Sequence, residues 1–463
     1  MNLDFQMQEI SSNAIDVSSY DFIIAGAGAG GLLTALGLSA LDKRVLVIEE
    51  SNHLGGVWYG YEVDEYRVDN GLHMITRVKR GAFAEFMREN LDPPPEFVLH
   101  DGWYFRVNDK VGTIPTSIAE TLCWPLTGLR GRLGLARIGA KIKTMKLAEM
   151  KEYKDFTFQE FMECQDATNQ VMLDVMQSAI YMAAGVPITE ASAYEALRTL
   201  KDTDKEYSKL ESAKRLVFGS DEYDEGYVIG GMKGLVDRVK DAINGDYMLN
   251  SRVDRISETS DGALALTIDN QEIIHPRVIS NIPLWSMSSI VESDNYEANE
   301  LFNRWDSMQI TKGVTLWLGI EKVVIGDRKS RVLVRPEPNR WLISLSSFDP
   351  TCAPEGKELI ALAMMRDESI SLEEQVEQMK GNGMEEYYPE ILENIEMEHL
   401  QTSYATRAAL IPGQTDLDRP GPRTPLRGLY IVGTDTAGSG VGLQQAANSA
   451  RNVIEALRED NIA

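Results

Sequence analysis

The sequence has few cysteines and histidines, and this scarcity excludes several classes of protein. Three cysteines and five histidines occur among 463 residues. Cys123, Cys164 and Cys352 lie far apart, and none belongs to a CxxC pair. A disulfide framework or a structural zinc site is therefore not expected, and no metal site is predicted. The pattern favours three small, buried apolar side chains at these positions.

The sequence also lacks an excess of positive charge and any long hydrophobic run. Asp and Glu number 71 against 46 Lys and Arg, which gives a formal net charge of −25. Such a surface repels phosphate backbones, so a nucleic-acid partner is not expected. No window approaches the roughly 18 apolar residues of a membrane span. Residues 1–19 also lack the basic and apolar regions of a targeting segment, which favours a cytoplasmic location.

The length of the chain predicts more than one domain. Residues 1–18 show no periodicity and are expected to form a flexible extension. The apolar run at residues 20–25 predicts a strand buried on both faces, and residues 32–41 predict a buried helix. Residues 44–49 form a second apolar run, so the pattern is strand, turn, helix, strand.

A glycine-rich turn joins the first strand to the helix. Its sequence contains GxGxxG as Gly26, Gly28 and Gly31. The first glycine permits a tight turn, the second allows a pyrophosphate to approach, and the third allows close helix packing. Glu49 ends the second strand, where a carboxylate accepts hydrogen bonds from ribose and disfavours a 2′-phosphate. The residues predicted to contact the dinucleotide here are Gly26, Gly28, Ala29, Gly30, Gly31, Glu49 and Glu50.

A second motif follows Glu49 directly: SNHLGGVW at residues 51–58, then VDNGLH at 68–73. These residues resemble the flavin amine oxidase, phytoene desaturase and protoporphyrinogen oxidase superfamily, and the pattern is most similar to phytoene desaturase-like proteins. The resemblance implies bound FAD, with a glycine doublet near its backbone and an Asp-x-Gly element near its ring system. The family often has Arg where this chain has Val57. The implied cofactor residues are Gly55, Gly56, Val57, Trp58, Asn70, Gly71, Leu72 and His73.

The resemblance extends to the middle and the end of the chain. The runs GGMKGL at 230–235 and VISNIP at 278–283 are similar to family elements that open and leave a second FAD-domain segment. The run GLYIVGTDT at 428–436 is similar to the closing segment, although the acid, Asp435, comes one residue later than in many members. The implied contacts are Val253, through its backbone to adenine, and Asn281, Gly433, Thr434, Asp435, Gly442 and Leu443.

The expected fold is α/β: a Rossmann-like, two-dinucleotide-binding FAD domain with a discontinuous α+β substrate domain. The FAD domain is predicted from residues 19–80, 221–290 and 415–463. The substrate domain is predicted from residues 81–220, a largely helical insertion, and from residues 291–414, which add a sheet.

Flavin chemistry requires an aligned substrate more than it requires a side-chain nucleophile. Lys312 occupies a place similar to the lysine that amine oxidases hold near the flavin, but an exposed lysine at a strand start fits the pattern as well. His73 suits proton transfer, although a histidine without a catalytic role fits too. Tyr404 is a further catalytic candidate, and Tyr404 and Arg407 are candidates for lining the substrate cavity.

A local excess of positive charge occurs at residues 114–150. Leu135, Ile138, Ile142 and Met145 recur there at helical spacing, and a basic amphipathic helix can lie on an anionic membrane. A helix of the substrate domain with a solvated basic face fits the same pattern. The sequence therefore allows two interpretations of this segment: peripheral contact with a membrane, or packing within the substrate domain with the basic face in solvent.

The sequence thus predicts an FAD-dependent oxidoreductase. The resemblance favours dehydrogenation, desaturation or isomerisation of a largely apolar, isoprenoid- or carotenoid-like small molecule by hydride transfer to flavin. Oxygen, a quinone or another acceptor would take the electrons. A flavin amine or amino-acid oxidase is the alternative, and a sugar mutase that uses reduced FAD or a non-redox prenyl carrier is more distant.

Overall fold

The fold was analysed in a computed structural model that describes residues 7–10, 16–71, 74–201 and 224–462. The described strands are, in chain order, β1 (Gln8–Glu9), β2 (Phe22–Ala25), β3 (Val45–Ile48), β4 (Gly60–Val63), β5 (Tyr66–Asp69), β6 (Ile75–Thr76), β7 (Phe97–Leu99), β8 (Trp103–Val107), β9 (Lys110–Thr113), β10 (Glu225–Val228), β11 (Gly245–Met248), β12 (Val253–Glu258), β13 (Leu264–Ile268), β14 (Gln271–His275), β15 (Val278–Ser280), β16 (Val291–Glu292), β17 (Ile310–Ile320), β18 (Ser330–Arg335), β19 (Arg340–Ser344), β20 (Glu358–Met365), β21 (Ile395–Ala408) and β22 (Leu429–Ile431).

The described α-helices are α1 (Ala29–Ser39), α2 (Ala82–Asn90), α3 (Ile118–Leu122), α4 (Leu129–Thr144), α5 (Leu147–Lys151), α6 (Phe158–Cys164), α7 (Gln170–Ala184), α8 (Ala193–Lys201), α9 (Gly231–Asp241), α10 (Leu284–Ile290), α11 (Tyr296–Asn303), α12 (Leu372–Lys380), α13 (Gly383–Tyr387), α14 (Pro389–Glu393) and α15 (Leu443–Glu459).

A six-stranded parallel sheet has the order β1-β11-β3-β2-β15-β22. Its strands come from chain segments that are far apart in sequence. Ile24 in β2 pairs with Val47 on one side and Ile279 on the other. The sheet is covered on both faces, because Ile24 belongs to one buried apolar cluster and its neighbour Ile23 belongs to another. This arrangement explains the continuous apolar runs and confirms the predicted α/β fold.

The edge of this sheet includes residues that the sequence predicted to be a flexible extension. Gln8 and Glu9 pair in parallel with Asp246 and Tyr247 of β11. Two polar residues carry no hydrophobic periodicity, so a strand held only by main-chain pairing left no signal in the sequence.

A seven-stranded sheet forms the second large layer, in the order β21-β17-β20-β19-β18-β8-β9. Parallel pairing of β8 with β18 joins residues 103–113 to the strands of residues 310–408. The largely helical interpretation of residues 81–220 is therefore incomplete, because β7, β8 and β9 lie in this segment. The short β8 alternates buried and half-buried positions. Its sequence, WYFRV, is rich in aromatic residues, a composition typical of a strand.

The helices of residues 118–201 pack on this sheet around a buried apolar cluster that includes the predicted stripe of α4. Leu135, Ile138, Ile142 and Met145 are each at most 8% exposed. The apolar stripe thus faces the protein interior and not the surface. In the described chain, no helix is both long enough and apolar enough to cross a membrane.

The cysteines differ from the prediction at two of three positions. Cys352 is buried, and burial raises the pKa of its thiol. Cys123 and Cys164 are exposed. Both lie at helix C-termini, where the chain leaves the packed face of the helix.

Candidate functional site

The glycine-rich turn forms the end of β2 and the start of α1. A Cβ atom on Gly31 would lie 2.2 Å from the carbonyl oxygen of Gly26, so only glycine permits this helix to approach the strand so closely. Gly26 has φ +96°, a conformation that favours glycine. No side chain caps the N-terminus of α1 within the described residues. Its free N–H groups and positive dipole end suit a phosphate.

The glycine doublet packs directly on this turn. Gly55 donates its N–H to the carbonyl of Ala27 at 2.9 Å and forms a parallel bridge with Gly28. A Cβ on Gly56 would lie 3.3 Å from the Cα of Gly28. The resemblance implied that the doublet approaches the cofactor, and the structure places it beside the residues that would hold the phosphates.

Glu49 is 7% exposed, and both of its carboxylate oxygens accept backbone hydrogen bonds. The donors are Ala27 N at 2.7 Å and Ser51 N at 2.9 Å. The loop before Val253 runs alongside, because Ser251 N donates to the backbone carbonyl of Glu49 at 2.8 Å. The predicted adenosine residues therefore converge at one end of the parallel sheet. Glu50 differs from its neighbour, because its side chain is exposed.

Asn281 connects the N-terminal glycine turn to the C-terminal strand. Its amide nitrogen donates to Val432 O at 2.8 Å, while a Cβ on Gly28 would lie 2.6 Å from its amide oxygen. A Cβ on Gly30 would lie 3.1 Å from the Cα of Gly433. The two glycine-rich segments, separated by about 400 residues in sequence, are thus in contact.

The resemblance implied that both Thr434 and Asp435 contact the cofactor, but their side chains have different surroundings. Asp435 is buried and accepts a hydrogen bond from Leu284 N, at the N-terminus of α10, at 2.6 Å. Burial raises the pKa of this carboxyl. Thr434 instead lines the cavity described below. Because Asp435 bonds to α10 while Thr434 lines the cavity, the geometry favours Thr434 as the side chain that faces the cofactor.

The Asp-x-Gly element is held by a residue that the sequence analysis did not identify. Gln401 accepts hydrogen bonds from Gly71 N and Trp317 Nε1, both at 2.8 Å, and donates to Asp69 O at 2.9 Å. Asp69 itself accepts from Tyr227 and from Met232 N, at the start of α9. Gln401 lies on β21 of the other sheet, so only the tertiary structure reveals this link.

A cavity of about 500 Å³ lies where the two large sheets meet. Eight of the predicted cofactor residues and one predicted catalytic residue line it, namely Ala29, Val57, Trp58, Asn70, Gly71, Thr434, Gly442, Leu443 and Lys312. Apart from Arg407, the rest of its wall comes from residues that the sequence did not single out, among them Met74, Trp103, Ala179, Tyr181, Met182, Trp341 and Met364. These are mostly apolar.

Two predicted catalytic residues lie opposite each other on paired strands. Lys312 of β17 is in register with Tyr404 of β21. The ammonium of Lys312 is paired with Glu368 at 2.7 Å, and its side chain is 39% exposed. This pairing favours the interpretation of an exposed lysine. The side chain of Tyr404, and the whole of Leu72 and His73, lie outside the described residues.

The cavity also contains charged residues that sequence reasoning passed over. Burial, and after it the charge of Asp416, raises the pKa of Glu195 to about 7. Arg198 forms an ion pair with Asp416. Arg407 lines the cavity as predicted, and burial lowers the pKa of its guanidinium to about 10. The described residues contain no group of three His, Cys, Asp or Glu side chains that could hold a metal ion.

The residues present fit a flavin dinucleotide. The α1 N-terminus and Glu49 suit the phosphates and the adenosine ribose, and the cavity provides a largely apolar space. The indole N–H of Trp58 is buried, has no hydrogen-bond partner among the described residues and lies in the cavity wall. A second helix N-terminus, that of α15, has no side-chain cap and borders the same cavity.

Comparison with known proteins agrees with this geometry. Residues 29–457 match the sequence profile of the family described as flavin containing amine oxidoreductase. An uncharacterised protein of the nifH2 3′ region of Methanothermococcus thermolithotrophicus is 34% identical over 98 residues, which cover 21% of this chain and 94% of that protein. Human all-trans-retinol 13,14-reductase is 31% identical over 84 residues, which cover 18% of this chain and only 14% of that enzyme.

Among solved structures, an oxidoreductase from Methanosarcina mazei superposes with a TM-score of 0.73 at 20% identity, covering 94% of this chain and 99% of that chain. This likeness concerns the fold. The profile match spans nearly the whole chain, and the glycine turns and cavity occur where such a cofactor requires them. The chain therefore belongs to the flavin-containing amine oxidoreductase family and is an FAD-dependent oxidoreductase.

Proposed function

We propose that this enzyme dehydrogenates, desaturates or isomerises a largely apolar small molecule, of isoprenoid or carotenoid type. The observation that carries the proposal is the cavity wall. Apolar side chains of α7, β19 and β20, among them Met182, Trp341 and Met364, line the same cavity as the predicted flavin residues Gly71 and Leu443. An apolar substrate is favoured there by the transfer of its surface from water, at roughly 25 cal/mol per Å².

The aromatic residues of the wall would orient such a substrate. Tyr181 stacks on Trp341 with ring centroids 5.3 Å apart, and the Tyr181 hydroxyl donates to Lys312 O at 2.9 Å. Burial raises the pKa of Tyr181 to about 12, so the phenol stays neutral. FAD, when bound, supplies the acceptor for a hydride from a substrate carbon. A proton also leaves the substrate in desaturation, and Glu195 is a cavity carboxyl whose raised pKa suits it to accept that proton.

The cofactor contacts are part of the same proposal. FAD would extend from Glu49 and the loop before Val253, past the turn at Gly28, to the cavity at Gly71. The contact between the Gly28 turn and the C-terminal segment supports this path. The relative named for retinol reduction supports an apolar isoprenoid, although its name describes hydride transfer in the opposite direction.

An amine or amino-acid oxidase is the second candidate, and the observation that favours it is the family match itself. Lys312 was the residue on which the sequence argument for this candidate depended. Its ion pair with Glu368 at the cavity edge weakens that argument. Release of hydrogen peroxide with primary amines, and its loss in Lys312→Met, would favour the oxidase.

Two anaerobic half-reactions test the proposal. The oxidised enzyme should lose its flavin absorbance with an isoprenoid that carries one reduced double bond, such as 13,14-dihydroretinol, or the photoreduced enzyme should regain it with retinol. Primary amines should cause neither change. Bleaching by amines alone would overturn the proposal.

A cavity-filling variant makes this test specific. Ala179→Trp should slow the half-reaction at least about 100-fold while the flavin content stays normal, because the indole occupies substrate space. Ala148→Trp, on the exposed face of α5, is the matched control and should react like the wild type.

We further propose that residues 121–148, the basic surface, contact an anionic membrane from the cytoplasmic side. This stretch has no Asp or Glu, whereas the whole chain has a net charge of −25. Leu122, Leu129 and Leu133 are 40%, 67% and 54% exposed beside these cations. The basic side chains are Arg130, Arg132, Arg137, Lys141, Lys143 and Lys146. Exposed leucines next to cations suit an anionic lipid interface.

Vesicle flotation tests the membrane contact. The protein should float with vesicles that contain phosphatidylglycerol and stay in solution with pure phosphatidylcholine. Leu129→Glu with Leu133→Glu should abolish flotation, whereas Val323→Glu, at an exposed valine elsewhere, should not. Equal behaviour with both lipids would contradict the contact.

A further inference from the structure

Arg407 lies at the end of the cavity, near the C-terminus of α7. Its guanidinium donates to the carbonyl oxygens of Ala183 at 2.8 Å and Met182 at 3.0 Å. These are among the last carbonyls of α7, where the helix dipole favours a cation. The two hydrogen bonds fix the orientation of the guanidinium plane. Gly185, which follows α7, has φ +73° and lines the cavity beside it.

Arg407 differs from Lys312 and Arg198, two other cations of the cavity, because it has no acidic partner among the described residues. Lys312 pairs with Glu368, and Arg198 pairs with Asp416. For Arg407, no ion pair with a carboxylate occurs in the described part of the chain, and its two hydrogen bonds go to neutral carbonyls. A guanidinium has five N–H donors, so further donors remain for a ligand. A buried cation without a counter-ion is costly, which makes it a candidate for ligand recognition.

Besides burial, the groups that act on the charge of Arg407 are Tyr181 and Arg419. Arg419 is a second buried cation that repels Arg407, and Tyr181 is held neutral by burial. The acidic groups that lie close to this pair, Glu195 and Asp416 among them, interact with Arg419 and Arg198. Burial lowers the pKa of Arg407 to about 10, which is still well above neutral pH, so the guanidinium stays protonated.

We propose that Arg407 binds the carboxylate of a substrate whose remaining part is apolar. The two carboxylate oxygens would face the guanidinium at the end of α7, and the hydrocarbon would pack against Tyr181, Trp341 and the rest of the cavity wall. The inference rests on the apolar substrate of the proposed function and narrows its class. It also disfavours a cationic amine, which Arg407 would repel.

Calorimetric titration of the FAD-loaded protein tests this site with three probes of equal chain length: decanoate, decanol and decylamine, each below its micelle concentration. The wild type should bind decanoate about 10- to 100-fold more tightly than decanol, the range for hydrogen bonds to a charged group. Decylamine should bind more weakly than decanol. Equal affinity for decanoate and decanol would overturn the proposal.

Variants assign the preference to one residue. Arg407→Gln retains donors for the α7 carbonyls but removes the charge, so the preference for decanoate should fall to about onefold. Arg407→Lys retains the charge but not the planar guanidinium, so it should keep only part of the preference for decanoate. If Arg407→Gln does not fold, a reduced preference in Arg407→Lys supports the assignment to Arg407. Arg328→Gln, at an exposed arginine that pairs with Asp101 and does not line the cavity, is the matched control and should keep the full preference. An unchanged preference in both Arg407 variants would overturn the proposal.

The titration is independent of the redox proposal. If the protein prefers carboxylates but its flavin does not react with isoprenoids, the anion site is supported and the proposed function is refuted. If the flavin reacts with neutral isoprenoids but the protein shows no preference for carboxylates, the proposed function is supported and the anion site is refuted.

Discussion

At the scale of single residues, the glycines of the first turn are constrained by specific atoms. A Cβ on Gly31 would meet Gly26 O at 2.2 Å, whereas a Cβ on Gly234, inside α9, would meet nothing within 4 Å. The same substitution should therefore have opposite effects at the two positions.

We predict that Gly31→Ala displaces the turn, lowers the free energy of unfolding by about 1–3 kcal/mol and abolishes flavin retention. Gly234→Ala should be neutral or stabilising by up to about 1 kcal/mol, because alanine is the better helix former. Flavin absorbance per protein and denaturant unfolding measure both effects. Normal flavin content in Gly31→Ala would contradict the assignment of this turn.

Glu49 and Glu50 provide a second matched pair. Glu49 is buried and holds two backbone N–H groups, while Glu50 is exposed. We predict that Glu49→Ala weakens FAD binding by about 2–4 kcal/mol, through lost hydrogen bonds to a charged acceptor, and that Glu50→Ala leaves it unchanged. Equal dissociation constants for wild type and Glu49→Ala would refute the ribose assignment.

At the scale of elements, His100 connects β7 and β8 to β18. Its Nδ1 accepts from Gly102 N at 3.1 Å, and its Nε2 contacts Ser330 Oγ at 2.6 Å. Burial lowers the pKa of this imidazole to about 4. Protonation would also remove the acceptor for Gly102, so the folded state disfavours the charged ring.

This lowered pKa predicts a specific loss of stability in acid. Below about pH 6.5 the unfolded chain binds a proton that the folded chain does not, so the free energy of unfolding falls as pH decreases toward 4, by roughly 3 kcal/mol in all. Above pH 6.5 this group contributes nothing. His100→Gln should remove this part of the pH dependence, and Ser330→Ala, which leaves the ring buried, should retain it. Unfolding curves at pH 7, 5.5 and 4.5 decide the matter.

At the scale of the whole molecule, the predicted FAD path touches segments near residues 28, 281 and 433, which are distant in sequence and adjacent in space. A ligand that bridges them should stabilise the native state as a unit. We predict that FAD at 100 times its dissociation constant raises the free energy of unfolding by about 2.7 kcal/mol. FMN, which lacks the adenosine, should give a smaller increase. An unchanged melting temperature with saturating FAD would contradict the path.

The sequence alone determined the parts of this protein that depend on local geometry. The turn at Gly26, Gly28 and Gly31 was predictable because strand, glycines and helix are contiguous, and Glu49 follows within the same unit. The apolar runs of β2 and β3 predicted a sheet that is buried on both faces. The family resemblance, carried by these motifs, gave the cofactor and the reaction class.

Only the tertiary structure decided which side chains meet across the chain. Gln401 and Arg407 on β21 reach the Asp-x-Gly element and the end of α7 because of strand pairing that no local pattern encodes. Thr434 lies in the cavity wall, whereas the carboxylate of Asp435 accepts a hydrogen bond from the N-terminus of α10. The stripe of α4 is buried because α3 and α8 pack against this helix within one apolar cluster. Periodicity specifies that a face is apolar, but long-range packing specifies what covers it.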